Sequence, residues 1–210
     1  SMAIDDIYDE HEQGERVREW IRRNAVGLLG GIILGLALIF GWQMWQKHRE
    51  GQRVEAGNQF QAALNAAASG DFEQARARIA ELRGDTYPVL AALDLAKAQL
   101  AAGDTQGAID TLRSAPASDP ALEPVRRHRL ALLLIEAGEA GEAVQLLAGS
   151  DEPAALEALG DAHHALGQRE QAAHAYASAL ERLGEEAPQG RLLELKLIDA
   201  GGQPAQSGAI

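Results

Sequence analysis

The chain is 210 residues long, 46% hydrophobic but only 4% aromatic, 24% charged, free of cysteine and carries a formal net charge of −12. That length holds one or two modest domains, and the missing cysteines exclude thiolate nucleophiles, disulfide frameworks and Cys-ligated metal sites. The acidic balance argues against nucleic acid as a partner, because such a surface needs a basic face to displace counterions from phosphate.

About forty alanines against nine aromatics point to closely packed helices, since sheets favour β-branched and aromatic side chains. The expected class is all-α: a single N-terminal transmembrane helix, then a right-handed α-solenoid of about four helical hairpins with a capping helix. Residues 1–23 read as a short cytosolic tail with seven acids and four arginines. Within it Val17, Trp20 and Ile21 share a helical face opposite Arg18 and Arg22, the pattern of a short helix lying in the membrane interface.

Residues 24–46 carry no charge, and residues 25–42 are apolar or glycine throughout. At ~1.5 Å per residue that core spans roughly 27 Å, close to the ~30 Å of bilayer hydrocarbon. Trp20 precedes the run and Trp42 and Trp45 end it, where aromatic residues sit at the two interfaces. The acid-rich stretch before the run is unlike the short basic start of a secretory signal, and no small-x-small cleavage site follows it directly, so an uncleaved anchor is expected. Arg16, Arg18, Arg22 and Arg23 precede the span and Lys47, Arg49 and Arg53 follow it. This bias places the N-terminus in the cytosol and the remainder outside it, which in a Gram-negative bacterium is the periplasm. Gly27, Gly31 and Gly35 fall at i, i+4 and i+8, a stripe that lets a second transmembrane helix approach closely. Glycine is also simply common in membrane helices, so the stripe motivates a membrane partner or a homodimer without selecting either.

From residue 47 the chain repeats itself. The polar stretch 47–55 lacks proline and is expected to continue the anchor as helix into the first repeat. Glycines at Gly70, Gly103, Gly138 and Gly167 each end an alanine-rich stretch, spaced by 33, 35 and 29 residues. Five residues after each stands an alanine (Ala75, Ala108, Ala143, Ala172), and four later a larger apolar residue (Ile79, Leu112, Leu147, Tyr176). Glycine closes the first helix in the left-handed conformation, the alanine marks a close helix crossing, and the larger residue plugs the gap one turn on. Helix pairs are predicted at 52–69 with 72–83, 87–102 with 105–114, 121–137 with 140–149 and 154–166 with 169–183. A cap over 191–200 follows, and a disordered tail over 201–210. The array thus occupies 47–200.

The clearest copy, residues 155–180, has Leu159-Gly160, Gly167, Ala172, Tyr176 and Ala179 at the positions of a tetratricopeptide repeat, which it resembles; His163 departs from the usual Tyr. That register places Phe60, Leu64, Leu93, Leu100, Leu132 and Ile135 toward a groove, with Glu157, Asp161 and His164 making its far end acidic. Either the groove is open to an apolar segment of a partner, or these side chains are buried internally. Lys97 is the only basic residue among such positions, so a clamp for an acidic C-terminus is not expected. No Walker, nucleotide-binding glycine or zinc-protease motif occurs. His163 and His164 diverge by about 100° on one helix, and pairs such as Asp5-Asp6 read as solvated charge. No catalytic residue, cofactor or metal is assigned.

An acidic tail beginning MAIDDIYDEHEQGERVREWIRRN, a glycine-striped anchor with the exit ILGLALIFGWQMWQKHR, and a helical repeat array together resemble the bacterial ancillary subunits of the Sec translocon. The resemblance implies a single-pass inner-membrane protein with a tetratricopeptide-like periplasmic domain. Its implied partners are translocon subunits and a membrane-anchored periplasmic chaperone of the prolyl-isomerase type. The implied role is to pass emerging polypeptides to chaperones, with a regulatory link on the cytosolic side. The alternative is a self-associating assembly scaffold without a client.

Overall fold

The computed structural model describes the backbone of residues 5–183 and 187–203, with side chains from residue 14 onward within those limits. The expected disorder beyond 203, and the first four residues, lie outside the described residues. All regular structure among the described residues is helical. The chain falls into two units, Ser1–Glu55 and Ala56–Ile210, taken here in turn; helix α1 (Asp5–Ala68) begins in the first and ends in the second.

In the first unit, the apolar run of α1 is long and apolar enough to cross a membrane. Its large apolar side chains are exposed on all sides, from Leu28 at 41% to Val26 at 87%. A soluble core would have to cover such a surface, whereas bilayer hydrocarbon matches it. Asn24 Nδ2 donates to Trp20 O at 3.1 Å, keeping the amide satisfied at the start of the run. At the other end the Trp42 and Trp45 rings lie 5.1 Å apart, and the Arg49 guanidinium sits 4.6 Å from the Trp45 ring centroid. Rings with an arginine stacked on their outer side suit a headgroup layer, where one end of each group meets lipid and the other water.

The second unit is a run of hairpins. The end of α1 pairs with α2 (Phe72–Glu81), α3 (Thr86–Ala101) with α4 (Thr105–Ser114), α5 (Glu123–Glu136) with α6 (Ala140–Leu147), and α7 (Pro153–Ala165) with α8 (Arg169–Leu183). Helix α9 (Gly190–Asp199) follows and packs on α8. Each hairpin turns by one device. Gly70, Gly103, Gly138 and Gly167 have φ of 82°, 82°, 84° and 73°, a region that costs other residues about 1–2 kcal/mol. The two amides at each turn then bond back to the helix they end, for example Gly103 N to Leu100 O at 2.9 Å and Asp104 N to Gln99 O at 2.8 Å. These are the paired bonds that satisfy the last carbonyls of a helix. Asp71 and Asp104 start the next helix by accepting from the amides of Gln74 and Gly107, whereas Glu139, one methylene longer, makes no such bond.

Between paired helices the fit is set by size. The four crossing alanines, Ala75, Ala108, Ala143 and Ala172, are all fully buried. Sixteen residues before each plug stands its counterpart on the first helix: Ala63 for Ile79, Ala96 for Leu112, Ala131 for Leu147 and Gly160 for Tyr176. The largest plug meets the smallest counterpart. A Cβ built on Gly160 would overlap the Tyr176 ring, and Tyr176 is itself buried. Arg126, 7% exposed, donates from Nη1 to Leu112 O at 2.7 Å and grips Glu123 with two bonds of 2.8 Å. A buried guanidinium is tolerated because these three bonds pair its charge and also satisfy a carbonyl at the end of α4. Helix α5 starts at Glu123 rather than 121 because Asp119 accepts from the amides of Ala121 and Leu122, holding a turn before it.

Candidate functional site

The face expected to bind is built by the first helices of the hairpins. Leu100 and Leu132 are open there, at 38% and 42% exposure, and Leu64 and Ile135 are half-buried. Phe60 is also half-buried and stacks on Tyr87, with ring centroids 4.8 Å apart and planes 20° apart. Leu93 is 8% exposed and belongs to the central core with Val89, Ala96 and Ala131; it fills the interior rather than lining a surface. Val125, 39% exposed and seven residues before Leu132, extends the open apolar row of α5. Pro124 at the preceding position masks its periodicity in the sequence.

The acidic end is not an open patch. Lys196 of α9 reaches back to α7, its Nζ donating to Glu157 Oε1 at 2.7 Å and to both Asp161 oxygens at 2.8 Å. Tyr176 of α8 donates to Asp161 Oδ1 at 2.7 Å. His164 lies 3.8 Å from Asp199. Burial works against the charge on Lys196, but its hydrogen bonds to Asp161 and Glu157 outweigh it and raise the pKa above the ordinary lysine value. Burial, reinforced by the bond to Asp161, pushes the Tyr176 phenol far above its ordinary range. The expected acidic terminus of the groove is therefore a lysine-bridged joint that fastens the cap. Sequence alone hid this, because Lys196 is 35 residues from Asp161 and its reach depends on how α9 packs.

Cavities open along the array. One of about 570 Å³ lies among α2, α3 and α4, lined by Arg76, Ile79, Leu82, Pro88, Leu95 and Thr111. The buried Gln99 amide sits behind it. Its Nε2 donates to Thr111 Oγ1 at 2.8 Å and to Gly107 O at 3.2 Å, and its Oε1 accepts from Arg76 Nη2 at 3.1 Å. Another, of about 560 Å³, is lined by residues including Ser150, His163, Glu170 and His174. His163 Nδ1 lies 2.6 Å from Gln168 Oε1, which orients that ring locally. Among the described residues no three His, Cys, Asp or Glu side chains converge as a metal site would require. In the first unit a Cβ on Gly27, Gly31 or Gly35 would meet nothing within 4 Å, so the stripe lies open along the apolar helix.

Residues 18–202 match the family described as tetratricopeptide repeat-like domain. Among curated proteins the chain is similar to the ancillary SecYEG translocon subunit of Escherichia coli strain K12. The two are 30% identical over 147 residues, or 68% of this chain and 71% of that one. The protein of that name from Haemophilus influenzae is 25% identical over 150 residues, 66% of this chain and 71% of that one. Among solved structures, a Podosopora anserina chain of nearly identical TPR-like repeats aligns with a TM-score of 0.49 at 20% identity, over 70% of this chain and 84% of that one.

Proposed function

The chain belongs to the family of ancillary SecYEG translocon subunits with a tetratricopeptide repeat-like domain, and from that premise we propose that it is a membrane-anchored scaffold working beside a Sec translocon. The anchor holds it in the bacterial inner membrane with the N-terminus in the cytosol and the repeat array in the periplasm. There the array contacts a membrane-anchored chaperone and helps pass emerging polypeptides to it. It works by protein contact rather than by catalysis. One observation carries the reading: an open glycine stripe on a lipid-matched helix shares one chain with a hairpin array that leaves Leu100 and Leu132 uncovered. The stripe suits close packing against another membrane helix, and the uncovered leucines suit a weak apolar contact with an extended segment.

Photo-crosslinking side chains at Leu38, on the glycine-stripe face and 67% exposed, and at Leu132 test the two halves separately and leave the glycines in place. The expected result is a translocon subunit captured from Leu38 and a chaperone or nascent polypeptide captured from Leu132. Recovery of neither, from membranes where the protein is abundant, would overturn the proposal. The open stripe also favours a second reading, self-association of anchors without a client. Gly31→Leu separates the two: it would abolish the oligomer in the second reading and the translocon crosslink in the first.

A further inference from the structure

Helix α9 occupies the place where the first helix of a fifth hairpin would start. It closes on the same turn as the others, with Gly201 N bonded to Ile198 O and Gly202 N to Leu197 O, both at 2.9 Å. Aligned on that turn glycine, Leu193 stands where Leu159 stands in α7, and Glu194 stands where Gly160 does. A further helix cannot press a plug against Glu194 as Tyr176 presses on Gly160, so the stacking rule of the array ends here. A terminal cap is expected to turn a polar face outward. This one does not. Leu193 and Leu197 are buried against the array, while Leu192, Leu195 and Ile198 are 55%, 62% and 52% exposed.

At about 100° per residue, the exposed apolar side chains share one arc with Arg191 and Asp199, and Leu195 lies at its centre. Around Leu195 this sequence is its own complement when reversed. Arg191 and Asp199, equally spaced on either side, have opposite charge; Leu192 and Ile198 are both apolar; Leu195 is its own counterpart. A closed two-fold interface needs this property, because there residue i meets j while j meets i. Lys196 is already held by Glu157 and Asp161 and is not needed. Asp199 retains 75% side-chain exposure despite His164 nearby.

We infer that the outer face of α9 pairs, antiparallel, with α9 of a second copy of this chain about an axis through Leu195. Leu192 then packs on the partner copy's Ile198, and Arg191 meets the partner copy's Asp199, twice by symmetry. The leucine seam supplies the contact. The two ion pairs fix its direction, since a parallel pairing sets Arg191 against Arg191. This inference is independent of what the array carries.

Because the chain has no cysteine, Leu195→Cys introduces a single thiol. In the full-length protein in mild detergent it should oxidise to a disulfide-linked dimer, as residues facing each other on a two-fold axis come within disulfide reach. Leu132→Cys, exposed on α5, should stay monomeric under the same oxidant. Reversing one charge, by Arg191→Asp or Asp199→Arg, should weaken dimerisation about ten-fold by sedimentation, since attraction becomes repulsion at two sites. The doubly reversed protein should recover it. A folded Leu195→Cys protein that stays monomeric overturns the inference. So does equal linking through Leu132→Cys, failure of the double reversal to restore the dimer, or capture of a different protein at position 195.

Discussion

The pairing of Gly160 with Tyr176 makes the sharpest test of how the array is held. Gly160→Ala adds one methyl group to a helix interior, which by propensity alone should stabilise by about 1 kcal/mol. Here the added carbon would enter the Tyr176 ring, and that ring has little room to retreat: it is 2% exposed and its hydroxyl is held by Asp161 at 2.7 Å. Overpacking of a tight core costs about 1–3 kcal/mol, so the net expectation is destabilisation of about 1 kcal/mol. Tyr176→Leu alone leaves a void and removes the Asp161 bond, costing about 2–3 kcal/mol. Combined, the two substitutions recreate the alanine–leucine combination at Ala96 with Leu112 and Ala131 with Leu147. The double variant should therefore be more stable than the sum of the singles by about 1–2 kcal/mol. Urea unfolding of the full-length protein, followed by circular dichroism, measures all four corners of the cycle. Gly141→Ala is the control, because a Cβ there meets nothing within 4 Å and the substitution should stabilise by about 0.5–1 kcal/mol. If Gly160→Ala stabilises as Gly141→Ala does, or the cycle is additive, size matching is not what sets the hairpin packing.

Three other perturbations follow from the same contacts. Lys196→Met leaves Glu157 and Asp161 half-buried without their cation, and should loosen α9 by about 1–2 kcal/mol, read as faster amide exchange in α9 than in α5. Arg126→Met removes three charge-assisted bonds and should cost about 2–3 kcal/mol near neutral pH. The Arg126 hydrogen bond holds the Glu123 pKa below its ordinary 4.5, so this pair's contribution is present above that value and is lost as pH falls through the lower folded value. The stability gap between the parent and Arg126→Met should accordingly narrow in acid; a gap constant from neutral to acid pH would exclude the pair as its source. Gly103→Ala forces a side chain into φ of 82° and should lower stability by about 1–2 kcal/mol, whereas an unchanged melting temperature would mean the turn re-forms without glycine.

Much of the array was legible in the sequence because its rules are local. A turn glycine, the Asp, Glu or Gln that follows it, and an alanine five positions after the glycine are all set by backbone geometry within one hairpin. The predicted hairpins agree with the observed helices to within a few residues. The binding face was less legible. Leu93 fits the repeat register as well as Leu132 does, yet one is buried and the other open, because the register says which way a side chain points and not what its neighbours leave uncovered. Phe60 likewise gained a stacking partner in Tyr87 that lies 27 residues away.

By itself the sequence determined the uncharged run long and apolar enough to cross a membrane, the glycine stripe along it, the hairpin period and the acidic balance. All of these depend on composition and on periodicities of a few residues. Only the tertiary structure decided that Lys196 closes the acidic end of the array, that the Tyr176 ring lies against Gly160, and that α9 turns three large apolar side chains outward. Each depends on which helix lies against which across tens of residues, and a charge or a leucine carries no mark of its neighbours until the helices pack.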